Sequence, residues 1–499
     1  MLNDRGIGTA RGGPAFLTAA FLTAMLLAAC STGNDAATTT APAPATSSSA
    51  TTEEDAAATT KATDDAAPDP DADPVDVAFD AVLDLLNDPA PSVETVEALF
   101  NPAFLAQVPA EQLLATIPQV TAGATGPWTA DNVQIQGLAG TAKLEASGAN
   151  PIAAQLQLDP ESPTLIAGLL FQPLPDLPEL ESFDEVVAAL DALAPTARLG
   201  LYEIVDGSCS AVEEHNTAEP MPVGSVFKLW ILAELAAQIE AGEASWDELL
   251  AVEDHYKASP DGEIFSLDEG EELPLRRYAE LMISISDNSA TDHLLHRLGR
   301  ERVEAAMTAS GVADPSLNVP FLAAADLFVL KFDPESPTSA DYRALDDDDD
   351  GRRAVLDELA NATVPWIGGA ADFPLENADG VPITDPRDHD LEWFATAEDL
   401  CRTHAHLADL AARPGLEPVG EILSINATAG MQFDRSVWTD LRYKGGSEPG
   451  VVAVAWWLER ADGRTFVLAG GVEDPDAPID PVVAVGTLQQ GVNPLATAE

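Results

Sequence analysis

Apolar positions along this chain fall into two regimes. In "VDVAFDAVLDLLND", residues 75–88, Val75, Phe79, Val82 and Leu86 recur at helical spacing. The following "SVETVEALFNPAFLAQVPAEQLLATIPQV" predicts two or three short helices broken at Pro102 and Pro109. The pattern then turns strand-like in "NVQIQGLAGTAKLEAS", "IAAQLQLD" and "TLIAGLLFQPL", with Gly, Asn and Pro between the runs. Helices followed by strands predict a small α+β unit over 76–178, a sheet curled around a helix. The Pro-rich "FQPLPDLPEL" reads as the joint to a larger unit, 180–499. There, "SFDEVVAALDALA" predicts a helix capped by Ser182, and "ARLGLYEIV" a strand ended by "DGS". Residues 221–241 predict one helix, and 271–300 are mostly helical. "GVVAVAWWLERADGRTFVLAGGV" predicts a hairpin turning at "RADGR", and "DPVVAVGTLQQGV" a closing helix. The acidic run "LDDDDDGRR", 345–353, reads as a solvated loop; consecutive acids lack the alternating ligand spacing of a calcium loop. There is no internal repeat.

Composition narrows the function. The 499 residues carry a formal charge of −60, from 84 acidic against 24 basic residues. So acidic a surface repels phosphate and excludes nucleic acid as a partner. Acids spread along the whole chain, with lysine scarcer than arginine, suit a salty habitat. At the N-terminus, Arg5 and Arg11 precede the apolar "PAFLTAAFLTAMLLAAC", too short for a permanent span. Its end, "LAAC", resembles the lipobox of bacterial lipoproteins, in which the cysteine, here Cys30, is lipidated; a plain secretory signal is the alternative. Residues 1–30 are thus expected to export the chain and anchor it to the cell membrane, facing the cell wall. Residues 31–75, rich in Ala, Thr, Pro and acids, are expected to be a disordered tether. Cys209 and Cys401 are left, either as one disulfide or as two buried thiols.

The chemistry starts in "MPVGSVFKLWILAEL", residues 221–235. Ser225 and Lys228 lie three residues apart, on one helical face. A serine hydroxyl needs a base to attack a carbonyl, and a lysine amine serves when desolvation or a second cation keeps it neutral. Free N–H groups at a helix start favour a developing oxyanion. By itself the pair also reads as a helix cap and a snorkelling lysine. Two later stretches change the balance: Ser286-Asp287-Asn288 in "SISDNSATDHLL", and Lys444-Gly445-Gly446-Ser447 in "LRYKGGSEPGV".

In that order the three motifs resemble those of class A β-lactamases and penicillin-binding proteins, over the large unit. The resemblance implies a β-lactamase-like domain, an antiparallel sheet plus a helical subdomain, and no cofactor. It implies that Ser225 is the acylated nucleophile and Lys228 its base, directly or through water. Ser286 would pass a proton to the leaving atom, and Asn288 would bind the substrate's amide. Asp287 would brace its loop. Lys444 would attract a substrate carboxylate and help keep Lys228 neutral. The N–H groups of Ser225 and Ser447, with Gly446 beside them, would form the oxyanion hole.

Two departures matter. Gly445 stands where the family usually has a hydroxyl residue that contacts the substrate carboxylate, and a glycine admits close backbone approach. No Glu-x-x-Leu-Asn segment, whose Glu activates the deacylating water in class A enzymes, lies between Asn288 and Lys444; Glu376 in "DFPLENADGVPI" is a poorly spaced stand-in. Together with "PFLAAADLFVLK" and "EWFATAEDLC", these strings resemble LpqF-type lipoproteins of actinobacteria and the related β-lactamase-like protein of clavulanic acid clusters. That resemblance implies a small ketosteroid-isomerase/NTF2-like domain ahead of the hydrolase. It also implies weak esterase or poor β-lactamase activity. The resulting expectation is an exported serine hydrolase acting on a small β-lactam or ester. The alternatives are a non-catalytic envelope protein that binds ligands, and a D-Ala-type peptidase. The pairs His293/His296 and His404/His406 lack a third ligand in sequence, so no metal site is expected. Oligomeric state is not legible.

Overall fold

The computed structural model describes residues 73–496, except 137, 161, 175–176, 260–261, 333–336, 346–347, 361–388, 429–430 and 432. Cys30, the export segment, Glu376 and all but the last three residues of the expected tether lie outside them. Among the described residues no helix is long and apolar enough to cross a membrane.

Capping chemistry sets the first unit. Asp73 accepts from the Val75 N–H at 2.8 Å and Pro74 takes the first helical position, so α1 (Pro74–Asn87) begins inside the stretch expected to be tether. Ser92 and Asn101 cap α2 (Val93–Leu99) and α3 (Pro102–Gln107), and Pro109 immediately precedes α4 (Ala110–Val120). Both prolines therefore divide the helices where the pattern predicts. Four strands follow: β1 (Thr129–Gln136), β2 (Ala139–Glu145), β3 (Ile152–Leu158) and β4 (Ile166–Pro173). They form an antiparallel sheet in sequence order. Phe79, Val82 and Leu86 of α1 share one core with Ala142, Leu144, Leu156 and Leu158 of the sheet.

The larger unit opens with α5 (Phe183–Leu193), whose N-terminus is a full capping box between Ser182 and Glu185. Its strands are β5 (Thr196–Val205), β6 (Ser208–His215), β7 (Met221–Pro222), β8 (Leu249–Ala251), β9 (Glu272–Pro274), β10 (Phe394–Ala395), β11 (Trp438–Glu448), β12 (Val451–Arg460) and β13 (Thr465–Glu473). The main sheet runs β11-β12-β13-β5-β6, antiparallel throughout. Strand β12 shows why this sheet has two covered faces. Val452, Val454, Trp456 and Leu458 enter the core beneath α5, while Ala453, Ala455 and Trp457 enter the core of the helical side. The latter is built by α6 (Lys228–Glu240), α7 (Glu263–Ser266), α8 (Leu275–Ser284), α9 (Asn288–Leu298), α10 (Arg300–Ala309), α11 (Ala324–Phe332), α12 (Pro337–Ala344), α13 (Asp349–Ala360), α14 (Ala397–Ala411) and α15 (Pro418–Ser424). The closing helix is α16 (Pro481–Gln489), on the α5 side.

Two expectations are corrected, and two placements go beyond what the pattern predicts. The helix predicted from 221 starts at Lys228; before it come β7 and a 3-10 turn, Gly224–Phe227. The acidic run is not wholly loop: α13 starts at Asp349. Asp348 accepts from the Gly351 N–H at 3.0 Å, and carboxylates in a first turn complement the helix dipole. Lys444–Ser447 lies within edge strand β11. Strand β6 follows the "DGS" stop, through a turn with positive φ at both Asp206 (50°) and Gly207 (76°). Its exposed, polar residues are those of an edge strand, which an apolar pattern does not reveal.

Cys209 on β6 is joined to Cys401 on α14, with Cα atoms 6.3 Å apart. The bridge fastens the polar edge strand to a buried helix across 192 residues of chain. Closing so long a loop restricts the unfolded chain, so reduction is expected to cost about 3–5 kcal/mol. Denaturant unfolding with and without reductant checks this; an unchanged midpoint would contradict it.

Candidate active site

Three chain segments converge where α6 begins. The first is the 3-10 turn carrying Ser225, entered through Gly224 at φ 46°. Backbone contacts set its position: the Val223 N–H donates to the Trp393 carbonyl at 2.9 Å, and β7 pairs with β10. The Trp393 ring stacks on Phe227, centroids 3.6 Å apart. Ser225 is half-buried; Lys228, at the first position of α6, is fully buried.

The second segment is the break between α8 and α9. Asp287 caps α9 by accepting from the Ala290 N–H at 2.8 Å, and takes a second bond from the Ile264 N–H at 3.0 Å. This brace forces Ser286 into the left-handed region at φ 61°, a conformation non-glycine residues rarely adopt. So held, Ser286 presents both its carbonyl and its hydroxyl to Lys228. Lys228 Nζ donates to Ser286 O (2.6 Å), Asn288 Oδ1 (2.7 Å) and Ser286 Oγ (3.0 Å). Asn288 Nδ2 in turn donates to Ser259 Oγ at 3.2 Å.

The third segment is β11. Lys444 Nζ reaches the same Ser286 Oγ at 3.0 Å and the Gly445 carbonyl at 2.7 Å. One hydroxyl thus bridges two amines, and its two lone pairs and one proton make it a relay between them. Burial, and then the charge of Lys228, push the Lys444 pKa well below its ordinary value. Gly446 lies against the nucleophile turn: a Cβ there would overlap the Val223 carbonyl oxygen and the Ser225 amide nitrogen. From the other side, a Cβ on Gly224 would come 3.2 Å from the Ser447 nitrogen. The amides of Ser225 and Ser447 therefore belong to two backbones in direct contact. That close approach is made at Gly446. A Cβ at Gly445 would instead overlap the Tyr443 ring, which covers the other face of the strand with Trp456.

All the residues expected from the three motifs are brought into this one region. Several supporting groups lie outside the three motifs. Trp393, Ser259 and Asn318 lie far from the motifs in sequence. Asn318 bonds both backbone groups of Phe394, accepting at 2.7 Å and donating at 2.9 Å, and so holds β10 beneath the nucleophile turn. Asn318 ends an Asp-x-x-Leu-Asn segment whose Asp314 is exposed and caps its own turn. Asp292, one turn beyond Asn288, accepts from the Ala324 and Ala325 N–H groups, and burial raises its pKa to about 7. His293 donates from Nδ1 to Ser289 O and accepts at Nε2 from the Glu253 N–H; burial lowers its pKa to about 4. It is a neutral packing residue. Among the described residues no group of three or more His, Cys, Asp or Glu side chains is placed to hold a metal ion.

Residues 190–347 match the family model described as "Beta-lactamase enzyme family", and residues 70–163 match one described as "ORF 12 gene product N-terminal". No curated protein matches the chain. Among solved structures, a β-lactamase from Sphaerobacter thermophilus is similar at 18% identity, with 63% of this chain and 97% of that one covered and a TM-score of 0.43. A class A β-lactamase from Bacteroides cellulosilyticus is similar at 17% identity, over 65% of this chain and 100% of that one, TM-score 0.43. A protein named PBP-A is similar at 16% identity, over 64% and 97%, TM-score 0.40.

Proposed function

We propose that this chain is a serine hydrolase of the β-lactamase and penicillin-binding-protein superfamily that forms an acyl-enzyme at Ser225. The observation that carries the reading is the contact of Lys228 and Lys444 with one Ser286 hydroxyl, on a buried floor beside the Ser225 turn. The family match over 190–347 supports it.

In the mechanism, Ser225 Oγ attacks the acyl carbon, and its proton passes to the amine of Lys228, directly or through water. Two buried amines disfavour a second charge in each other's presence; burial and the charge on Lys228 drive the Lys444 pKa well below its ordinary value, and the Ser286 hydroxyl bonded to both lets a proton be shared between them. The carbonyl π electrons move to oxygen, which accepts from the Ser225 and Ser447 N–H groups. As the tetrahedral species collapses, the leaving nitrogen or oxygen takes a proton from Ser286 Oγ, which is reprotonated by a lysine. Asn288 orients the acyl side, and Asp287 holds Ser286 and Asn288 in place. Water then releases the acyl group.

One feature makes that last step slow: Glu-x-x-Leu-Asn, whose Glu activates the deacylating water in class A enzymes, is missing from the sequence, while Gly445, offering no hydroxyl to a substrate carboxylate, weakens β-lactam binding. The finer reading is an LpqF-type protein, exported and anchored through Cys30, with an NTF2-like unit ahead of the hydrolase. The match of residues 70–163 to the ORF 12 N-terminal model supports that two-part architecture. Its substrate is a small β-lactam or ester.

Burst kinetics test the proposal. A chromogenic cephalosporin and a nitrophenyl ester should each release product stoichiometrically with enzyme, followed by slow turnover. Absence of a burst with both, together with tight reversible binding, would identify a ligand-binding protein instead. Release of D-alanine from a stem peptide at a rate exceeding ester turnover would identify a peptidase.

A further inference from the structure

Beyond the motif residues, a buried charge cluster lies beside the same backbones. Lys331, at the end of α11, places Nζ 3.1 Å from Glu392 and 2.5 Å from Glu448. The Lys331 side chain is 0% exposed, Glu392 1% and Glu448 11%. Among the described residues lysine is otherwise rare and, Lys143 apart, buried. In a chain this rich in surface carboxylates, a lysine sealed between two of them is a constructed feature.

The placement of the two carboxylates is informative. Glu448 directly follows Ser447 on β11. Glu392 directly precedes Trp393, whose N–H it accepts at 3.1 Å and whose carbonyl holds Val223, two residues before Ser225. The cluster therefore joins the far ends of the two backbones whose amides face the proposed oxyanion. We propose that Lys331, Glu392 and Glu448 form a clamp across the oxyanion pocket, holding the Ser225 and Ser447 amides at the separation acyl transfer requires. The three are positioning residues. The inference rests on the reading of Ser225 as the acylated residue.

Charge counting gives the clamp a pH limit. Two carboxylates face one ammonium. Burial opposes the Lys331 charge, but the two acids outweigh it and raise its pKa. Burial, and then the Glu392 charge, push Glu448 up to about 9. So raised, the Glu448 carboxyl favours its protonated form at pH 7, in contact with the Lys331 ammonium. Above about pH 9 Glu448 ionises, leaving two buried carboxylates on one ammonium, and the clamp loosens. Near this end of the sheet Glu473 meets Arg198 at 3.4 Å and the His389 ring at 3.2 Å, and His389 also contacts the Pro449 carbonyl at 3.3 Å.

The test compares Glu448→Ala with Glu448→Gln in the full protein. Modification of Ser225 by a penicillin (acylation) and by a fluorophosphonate (phosphonylation, with loss of fluoride) is followed from pH 6 to 10, and backbone hydrogen exchange over residues 223–226 and 444–448 is followed at pH 7. Glu448→Ala should acylate about ten- to a hundredfold more slowly at pH 7, with reversible binding of a penicillin nearly unchanged, because only transition-state contacts are misplaced. It should also exchange faster in both segments. Glu448→Gln, which keeps the volume and hydrogen bonding of a protonated carboxyl, should restore acylation at pH 7 and lose the alkaline fall near pH 9. Wild-type acylation and exchange in the alanine variant, or an unchanged alkaline fall in the glutamine variant, would overturn the clamp. Should the wild type form no adduct at all, the proposed function fails while the exchange comparison still decides the clamp.

Discussion

Lys228→Met is expected to lower the acylation rate constant by about a hundred- to ten-thousandfold, the range a positioned general base supplies. Methionine matches the length and apolar stem of the buried lysine, so the packing around α6 is largely kept. What disappears is the amine that the proposed mechanism assigns to take the Ser225 proton. The Ser286 carbonyl and Asn288 Oδ1 each lose a donor, at a stability cost of about 1–3 kcal/mol. The variant should remain folded, and a circular-dichroism melt separates the two effects. Lys444 provides an internal check. Burial and the charge of Lys228 both lower its pKa, and the variant removes the second cause. Residual acylation should therefore show a pH dependence shifted upward. A rate within tenfold of wild type with both a fluorophosphonate and a penicillin would remove Lys228 from the base role.

Gly446→Ala should be nearly as damaging, for a steric reason. Its Cβ would collide with the backbone of Val223 and Ser225, atoms that cannot rotate away. Relief requires β11 to withdraw from the nucleophile turn, which separates the two amides facing the oxyanion. A loss of about 10²–10³ in acylation is expected, the effect of removing one oxyanion donor. Gly445→Ala is the matched control, since its Cβ meets the Tyr443 side chain on the other face of the strand. That change should cost stability through the Tyr443–Trp456 packing and acylate far better than Gly446→Ala. Reversal of the order, measured at a temperature where both variants are folded, would place the close approach at the wrong glycine.

The three motifs were more legible in the sequence than the framework that brings them together. Ser225 and Lys228 could be paired because a spacing of three residues has one meaning on any helical turn, α or 3-10. Ser286–Asn288 and Lys444–Ser447 could be joined to them only by resemblance, since no local rule brings segments that distant together. Ser182 was legible because a capping box is local chemistry. Strand β6 was not, because an exposed edge strand carries no apolar alternation. The end of the acidic run was misread because repulsion between neighbouring carboxylates hid their favourable place at a helix N-terminus. The Lys331 cluster was out of reach altogether. Its carboxylates stand 61 and 117 residues away, and each looks like one more surface acid in a chain of 84. Burial makes them exceptional, and burial of a single charged residue is a tertiary property.

One measurement bears most directly on this account: the intact mass of the protein and of Ser225→Ala after incubation with a penicillin and, separately, with a fluorophosphonate. The wild type should gain the mass of one acyl or phosphonyl group, mapped to the peptide containing Ser225, and the alanine variant should gain nothing. An adduct of equal yield on Ser225→Ala, or an unmodified wild type with both reagents, would contradict it.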